Sequence, residues 1–428
     1  MRVSVVGLGQ LGLAFAASVA KSGIPVSGLD IDLQRVEQIK KNPSSFSEPK
    51  MTEYIEEAGD SLSITTESSE AIPNTDTTFV FVNTCNDDET GYSLDALESA
   101  TRDVGRALAD DGGSHLVVIR STVMPGDINS QIVEWLETES GRTVGEEIML
   151  GYWPEFTALG QVIDSMEHPE YRVVGEHTQS AGDRLKTFIE EWQPNTSRTI
   201  RMNILDAEIT KMALNAYIAM KLSFVNHLGR VCDGVGADVD SVTDAVANDS
   251  RISGEYFSAG VRYGGPCFPH DNVAFEELAN MAETTAPLAQ AANEINHTHT
   301  EWIGDIVRDV TDQHETVAVL GLTYKPGVPV TRESQGIELV SYLEEDLNVI
   351  TYDPIASLDT SKRSNGITVS DNLEESIATA DTAILTVKHE VLIDESIYED
   401  ITLIDPWRVF EAKRLPDSVT YRPLGRSK

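Results

Sequence analysis

Two doubly wound α/β domains with parallel sheets, joined by a central helical domain with a long helix, are the architecture that this chain of 428 residues predicts. Three observations predict it. Short β-branched runs alternate with helix-like stretches in the N-terminal part. The same alternation resumes near Glu315, and a long helical pattern lies between the two regions. Strands alternating with helices imply a parallel sheet covered on both faces.

The elements follow in order. VSVVG from Val3 is a β-branched run, a helical stretch runs from about Leu11 to Ser22, and PVSGLD supplies a second strand. Thr77–Thr84, Ser114–Thr122 and Glu147–Pro154 read as further buried strands, being nearly continuous apolar runs. From about Leu205 to Gly234 the periodicity is helical, with no breaker until Gly229 and apolar positions on more than one side. Such a helix is expected to connect domains and to pack against a second subunit. After Glu315, TVAVLGLTYK, NVITYDP, DTAILTVKH and ITLIDPW each run from a strand into a turn. The expected domains are residues 1–200, 201–300 and 301–428.

Composition excludes some functions. The chain has 70 acidic and 32 basic residues, a net charge of -38, so nucleic acid is not an expected partner. The acid excess is spread along the chain, which suits a halophilic protein of a salt-rich cytosol better than the alternative, an ordinary acidic cytosolic protein. No apolar run has membrane-spanning length without charges or glycines, so no membrane partner is expected. Cys85, Cys232 and Cys267 form neither a disulfide framework nor a zinc spacing, and no metal is expected. The N-terminal stretch has the outline of a signal peptide, but its glycines serve another pattern, and the expected location is cytoplasmic.

That pattern is Gly7-Leu8-Gly9-Gln10-Leu11-Gly12, a G-x-G-x-x-G that follows a strand and opens a helix. It suits a Rossmann-like unit, whose backbone approaches a pyrophosphate at the helix N-terminus. Asp30 ends the next strand about 20 residues on, where an acid hydrogen-bonds a ribose 2′-hydroxyl and repels a 2′-phosphate. NAD is therefore the expected cofactor, with Arg35 the nearby feature that would suit NADP. Asn83-Thr84 and Ser121-Thr122 close two later strands at the same sheet edge, as ligand contacts or as ordinary strand-end caps.

Gly260–Asn272, GVRYGGPCFPHDN, presents Cys267 on a constrained loop with Asp271 just beyond it. Read alone, Cys267 is either a reactive thiolate or a buried structural thiol. Lys211 and Asn215 share one helix face. They suit a carboxylate or a bound oxyanion, unless Lys211 snorkels to solvent.

Together these pieces resemble the nucleotide-sugar 6-dehydrogenases, the UDP-glucose/GDP-mannose dehydrogenase family. The matching segments are GLGQLG with Asp30, FVNT at Phe81, STV at Ser121, PEF at Pro154, Lys211 with NAY at Asn215, YGGPCFPHD at Tyr263, GLTYK at Gly321, TRES at Thr331, DP at Asp353 and DPWRV at Asp405. The resemblance implies an NAD-binding Rossmann domain, a helical dimerisation domain and a Rossmann-like domain for the nucleotide. It also implies a four-electron oxidation of a sugar C6 alcohol through a Cys267 thiohemiacetal and thioester. It gives Lys211 and Asn215 as oxyanion donors, Asp271 and Thr122 as holders of a catalytic water, with Asp271 a candidate base, and Glu155 as candidate base for thioester hydrolysis. Gly7, Leu8, Gly9, Gln10, Leu11, Gly12, Asp30, Arg35, Asn83, Thr84, Ser121, Thr122 and Arg332 are expected around NAD. Glu155, Phe156, Thr157, Lys211, Asn215, Arg251, Tyr256, Gly264, Tyr324, Lys325 and Arg408 are expected around the nucleotide sugar, Arg251 reaching it from a neighbouring subunit of a homodimer or higher homo-oligomer.

Four positions depart from the pattern. His270 stands where relatives often have Lys, Leu159 where many have a second Glu, Val330 where an Asp is usual, and Cys85 where Pro is common. GGPCFP resembles the GGSCFP of UDP-glucose and GDP-mannose enzymes, whereas TYKPGV resembles the YKP-x-V of UDP-N-acetylhexosamine enzymes. UDP-glucose to UDP-glucuronate is the favoured reading. UDP-ManNAc, UDP-GlcNAc and GDP-mannose are alternatives, and a two-electron hydroxyacid-type dehydrogenase or a non-catalytic nucleotide-sugar binder are remoter ones.

Overall fold

In the first sheet every apolar run named above becomes a strand. A computed structural model describes residues 1–41, 48–84, 92–110, 112–157, 159–194, 197–358 and 367–426. Cys85 lies outside the described residues. The chain divides into two compact units, Met1–Ala213 and Leu214–Lys428.

The strands of the first unit are β1 (Val3–Val6), β2 (Val26–Leu29), β3 (Leu62–Thr65), β4 (Thr77–Val80), β5 (His115–Ile119), β6 (Ile148–Tyr152), β7 (Tyr171–Glu176) and β8 (Arg198–Asn203). Their order is β3-β2-β1-β4-β5-β6-β7-β8. The first six strands of that series follow the dinucleotide-binding order, which reverses beside β1 and opens a crevice at the strand ends. β1 pairs in parallel with β2 and β4, Val3 lying opposite Val26 and Thr77. One pairing departs from the expected parallel sheet, since β6 and β7 run antiparallel.

Both faces of this sheet are covered. The helix Gln10–Lys21 buries Leu13, Ala14, Phe15, Ala16, Ala17 and Val19 completely. Its alanines allow close approach to the sheet, and Phe15 packs on Phe79, Phe81, Trp153, Phe188 and Trp192. Burial of one such ring is worth roughly 1.5–3 kcal/mol. Leu97, Val104, Leu108 and Leu136 belong to a separate core cluster with Val80, Val117 and Ile119 of the alternating strand positions.

The long helix spans Ile204–Val235, close to the range its periodicity predicts. It begins in the first unit and continues in the second. The second unit adds the helices Phe268–Met281 and Pro287–Asp309. Its strands are β9 (Thr316–Leu320), β10 (Asn348–Tyr352), β11 (Ile367–Val369), β12 (Thr382–Leu385), β13 (Thr402–Asp405) and β14 (Thr420–Pro423). They pair in parallel in the order β11-β10-β9-β12-β13-β14, repeating the topology of the first sheet.

The repetition reaches side chains. Asp30, after β2, accepts from Leu8 N at 2.7 Å. Asp353, after β10, accepts from Leu322 N at 2.6 Å and Thr323 N at 2.9 Å. Burial alone would raise the Asp353 pKa, but His389 and the amides of Ile355, Leu322 and Thr323 outweigh it and hold it down to about 2.

Candidate active site

In the first unit the glycine turn is built for close approach. Gly7 has φ +88°, and a Cβ on Gly12 would lie 1.9 Å from the Gly7 carbonyl oxygen, so neither position accepts a side chain. A Cβ on Gly9 would meet nothing within 4 Å, and no side chain caps the helix that starts at Gln10. Its first-turn N–H groups are thus left for an anion. Asp30 Oδ2 takes Leu8 N and Oδ1 takes Asp32 N at 3.0 Å, which leaves acceptor capacity for ribose hydroxyls. Leu8 is buried beneath the turn, and Gln10, Leu11 and Arg35 are half-buried around it. These residues fit NAD.

The neighbouring strand ends are tied to each other. Ser121 Oγ accepts from Val82 N at 2.9 Å and donates to Val82 O at 2.8 Å, and Thr84 Oγ1 donates to Thr122 O at 2.6 Å. Ser121 and Thr84 thus tie the strand ends together. Asn83 is exposed and Thr122 half-buried at that edge.

The PEF segment follows β6. Glu155 is paired with the buried Arg120 and accepts from Phe156 N and Thr157 N, both at 3.1 Å. Thr157 Oγ1 is buried with no partner in the structure. Lys211 is 7% exposed, with its ammonium 5.6 Å from the Phe156 ring centroid, so it does not snorkel to solvent. Glu208, one turn earlier on the helix, is fully buried and accepts from Gly126 N at 2.7 Å and Ile128 N at 3.2 Å.

In the second unit Cys267 is exposed and stands at the N-cap position of the helix Phe268–Met281, without a side-chain capping bond. The positive end of the helix dipole favours an anion there. That exposure removes the reading of a buried structural thiol. Asp271 sits in the first turn, its N–H bonded to Cys267 O at 2.9 Å, and its carboxylate accepts from Asn215 Nδ2 at 2.5 Å. Both side chains are buried.

Tight contacts shape the loop before the thiol. A Cβ on Gly264 would lie 1.9 Å from Glu333 O, and one on Gly265 would lie 2.5 Å from the Tyr324 ring. The loop thereby brings Gly264, Tyr324 and Cys267 together. Burial raises the Tyr324 pKa, and the nearby charge of Cys267 adds to it. Lys325 Nζ is 5.7 Å from the Tyr324 ring centroid. Arg332 Nη2 lies 2.8 Å from His270 Nε2. Arginine can only donate, so the imidazole nitrogen is the acceptor of this hydrogen bond.

Three further residues expected around the sugar also belong to the second unit. Arg408 is 9% exposed, with Nε bonded to Asp240, Nη1 to the carbonyls of Pro406 and Leu424, and Nη2 to Ala259 O. Four of its five N–H donors are thus engaged by the fold. The Arg251 side chain is 85% exposed and pairs with Asp249, and Tyr256 is exposed beside Phe268. Among the described residues no group of three or more His, Cys, Asp or Glu is placed to hold a metal.

Comparison with known proteins decides the family. The model of the UDP-glucose/GDP-mannose dehydrogenase NAD binding domain matches residues 1–193, that of the central domain residues 205–298, and that of the UDP binding domain residues 318–413. The chain belongs to the UDP-glucose/GDP-mannose dehydrogenase family. A UDP-glucose 6-dehydrogenase of Haloferax volcanii is 33% identical over 393 residues, covering 90% of each chain. A GDP-mannose 6-dehydrogenase of Pseudomonas syringae pv. tomato is 32% identical over 347 residues, covering 80% of this chain and 78% of that one. The structure of a UDP-glucose dehydrogenase from Pyrobaculum islandicum covers 100% of this chain and 98% of its own, with a TM-score of 0.89 and 27% identity. A UDP-D-ManNAc dehydrogenase of Pyrococcus horikoshii, 23% identical with a TM-score of 0.85, shares the fold.

As a member of this family the chain is an NAD-dependent dehydrogenase of nucleotide sugars. For this dehydrogenase, sequence reasoning missed three parts of the site. They are the Arg120 partner of Glu155, the Glu208 tie to the loop after Thr122, and the acceptor role of His270. Arg120 follows the last residue of an apolar strand, and Glu208 stands between Asp206 and Lys211 on a helix, where a charged residue reads as the exposed side of an element.

Proposed function

We propose that this dehydrogenase converts UDP-glucose to UDP-glucuronate in the cytoplasm, with Cys267 as covalent nucleophile. The observation that carries the reading is the exposed thiol at a helix N-terminus, one turn from the Asn215–Asp271 pair. The Haloferax relative, 33% identical, bears the same activity in its name. No helix among the described residues is long and apolar enough to cross a membrane.

The roles divide along the chain in three parts, 1–200 for NAD, 201–300 for helical dimerisation and 301–428 for the nucleotide. Gly7 to Gly12 and Asp30 hold NAD, with Arg35, Asn83, Thr122 and Arg332 around it. The chemistry NAD supplies is removal of a hydride from C6, once from the alcohol and once from the thiol adduct. The Cys267 thiolate adds to the aldehyde carbon, forming a C–S bond and an oxyanion that Lys211 and Asn215 meet with N–H donors. After the second oxidation the adduct is a thioester, and water cleaves it. One alcohol, two NAD and one water give one carboxylate, two NADH and three protons. Phe156, Thr157, Gly264, Tyr324 and Lys325 bind the nucleotide sugar, and Arg251 is offered to a second subunit.

The test is NADH yield per sugar over a panel of UDP-glucose, UDP-N-acetylhexosamines and GDP-mannose. UDP-glucose is expected to give two NADH with the highest kcat/KM, and Cys267→Ser to form no uronate. One NADH per sugar, or full turnover by the serine variant, would mean a two-electron enzyme.

A further inference from the structure

The segment that leads to Cys267 is held by side chains instead of by a strand partner. Residues 257–264 belong to no helix or strand, yet Ala259, Gly260, Val261, Arg262 and Tyr263 are buried. Buried backbone groups need hydrogen-bond partners, and two asparagines supply them. Asn226, on the long helix, accepts from Gly260 N at 2.9 Å and donates to Val261 O at 3.0 Å. Asn296, on the helix Pro287–Asp309, accepts from Tyr263 N and donates to Tyr263 O, both at 3.0 Å. An amide side chain carries an acceptor and a donor side by side, so each asparagine serves the segment as a strand edge would. Both are buried, 2% and 4% exposed. His299, one turn beyond Asn296, adds a third tie. Its Nδ1 lies 3.0 Å from Arg230 Nε, which can only donate, so Nε2 carries the ring proton and donates to Gly260 O at 2.8 Å. Burial suits that neutral ring, pushing its pKa down to about 4. The same helix also reaches past the thiol, since Asn272 donates to Ala289 O at 3.0 Å and to Asn293 Oδ1 at 2.7 Å. Ala289, Asn293 and Asn296 recur at spacings of four and three, so one helix face grips the chain on both sides of Cys267. The segment has no room to slide, because a Cβ on Gly260 would run into the Trp407 ring.

We propose that Asn226 and Asn296 are positioning residues for Cys267. They fix the backbone that precedes the thiol and so keep the sulfur at the N-terminus of the helix Phe268–Met281, where the helix dipole favours a thiolate. The consequence falls unequally on the two oxidations. The first hydride leaves the sugar alcohol before Cys267 forms any bond. The second leaves the thiohemiacetal, which forms only when the sulfur is within reach of the aldehyde carbon. Loss of either asparagine therefore slows the second oxidation more than the first. This division rests on the thioester route proposed above.

The test uses the full-length enzyme. Asn226→Leu and Asn296→Leu keep the size of the side chain and remove both of its hydrogen bonds. In single-turnover NADH traces on UDP-glucose, each is expected to slow the second hydride transfer about 10- to 100-fold and the first by less than about threefold. Hydroxylamine is expected to trap the aldehyde that these variants release. Asn226→Ser and Asn296→Ser keep a hydroxyl for one of the two backbone groups and are expected to fall between, and they serve where a leucine variant does not fold. Alkylation of Cys267 by iodoacetamide, read by peptide mass spectrometry across pH, needs no substrate, and its midpoint is expected to move up in every variant. In the wild type the Gly260 and Tyr263 amides are expected to exchange with deuterium as slowly as those of the long helix, and rapid exchange would refute the ties without any variant. A lowered melting temperature with the NADH trace and the alkylation midpoint unchanged would make the asparagines structural only and overturn the assignment. A wild type that yields one NADH per sugar would remove the thioester route, and the alkylation midpoint would then decide the placement of Cys267 by itself.

Discussion

Glu208 shows how much a single buried side chain can set. Burial raises its pKa from the ordinary 4.5 to about 7, the Gly126 and Ile128 amides oppose the rise, and Asp127 adds to it. A carboxyl group raised in this way contributes stability that is whole below its unfolded value and is lost as pH climbs through the folded one. Between pH 5 and pH 8 the wild type is therefore expected to lose about 2.5 kcal/mol that Glu208→Gln does not lose. Calorimetric melting of both proteins across that range measures it, and a constant difference would mean that Glu208 is already ionised in the folded chain at pH 5. Asp353 has the opposite sign, since its folded value lies near 2 and its contribution is lost as pH falls. The residues legible in the sequence were those whose type is rare in its setting. Cys267 is framed by glycines and prolines, and Lys211 and Asn215 interrupt an apolar helix. Arg120 and Glu208 escaped notice because their partners lie 35 and 82 positions away, beyond the reach of any local pattern.

The long helix carries the clearest message at the scale of an element. Tyr217, Phe224 and Val231 recur every seven residues on it and are 57%, 54% and 46% exposed. A seven-residue repeat stays on nearly one face. We propose that a second copy of the chain covers that face. Phe224→Glu places a charge in the middle of the stripe and is expected to weaken self-association about 100-fold, since burying such a ring is worth roughly 1.5–3 kcal/mol. Sedimentation velocity reads this out, and a wild type that stays monomeric at micromolar concentration would refute it. The helix was legible because its apolar period runs without a break. Strands were legible where both faces are buried, as in β1, β4 and β5. β3, β8, β11 and β14 were not, because these strands are part-exposed and carry mixed polar residues, and three of them are four residues or shorter. β7 was missed although its centre is buried, because Arg172 and Glu176 leave only Val173 and Val174 as an apolar run. The antiparallel step between β6 and β7 has no local signature, as pairing direction depends on where the chain returns to the sheet.

For the whole molecule, the dominant physical fact is a net charge of -38, carried by a fold whose ligands are themselves anions. Self-repulsion on that scale destabilises a compact state, and salt relieves it by shortening the screening length from about 10 Å at 0.1 M to about 3 Å at 1 M. The same screening lets an anionic nucleotide approach a negative surface. The donors that meet it here are amides at a helix N-terminus and buried or half-buried lysines and arginines, which bulk ions screen less than surface charges. Added salt is therefore expected to raise the melting temperature and lower KM for the nucleotide sugar together, most steeply below about 1 M. The measurement is melting and kcat/KM in KCl and in NaCl from 0.1 to about 2 M, where the two salts should act alike if screening is the cause. Replacing a set of exposed acids by Gln, away from the site, should flatten both curves. A melting temperature that ignores salt over this range would show that the fold tolerates its charge without screening, and the acid excess would then need a different explanation.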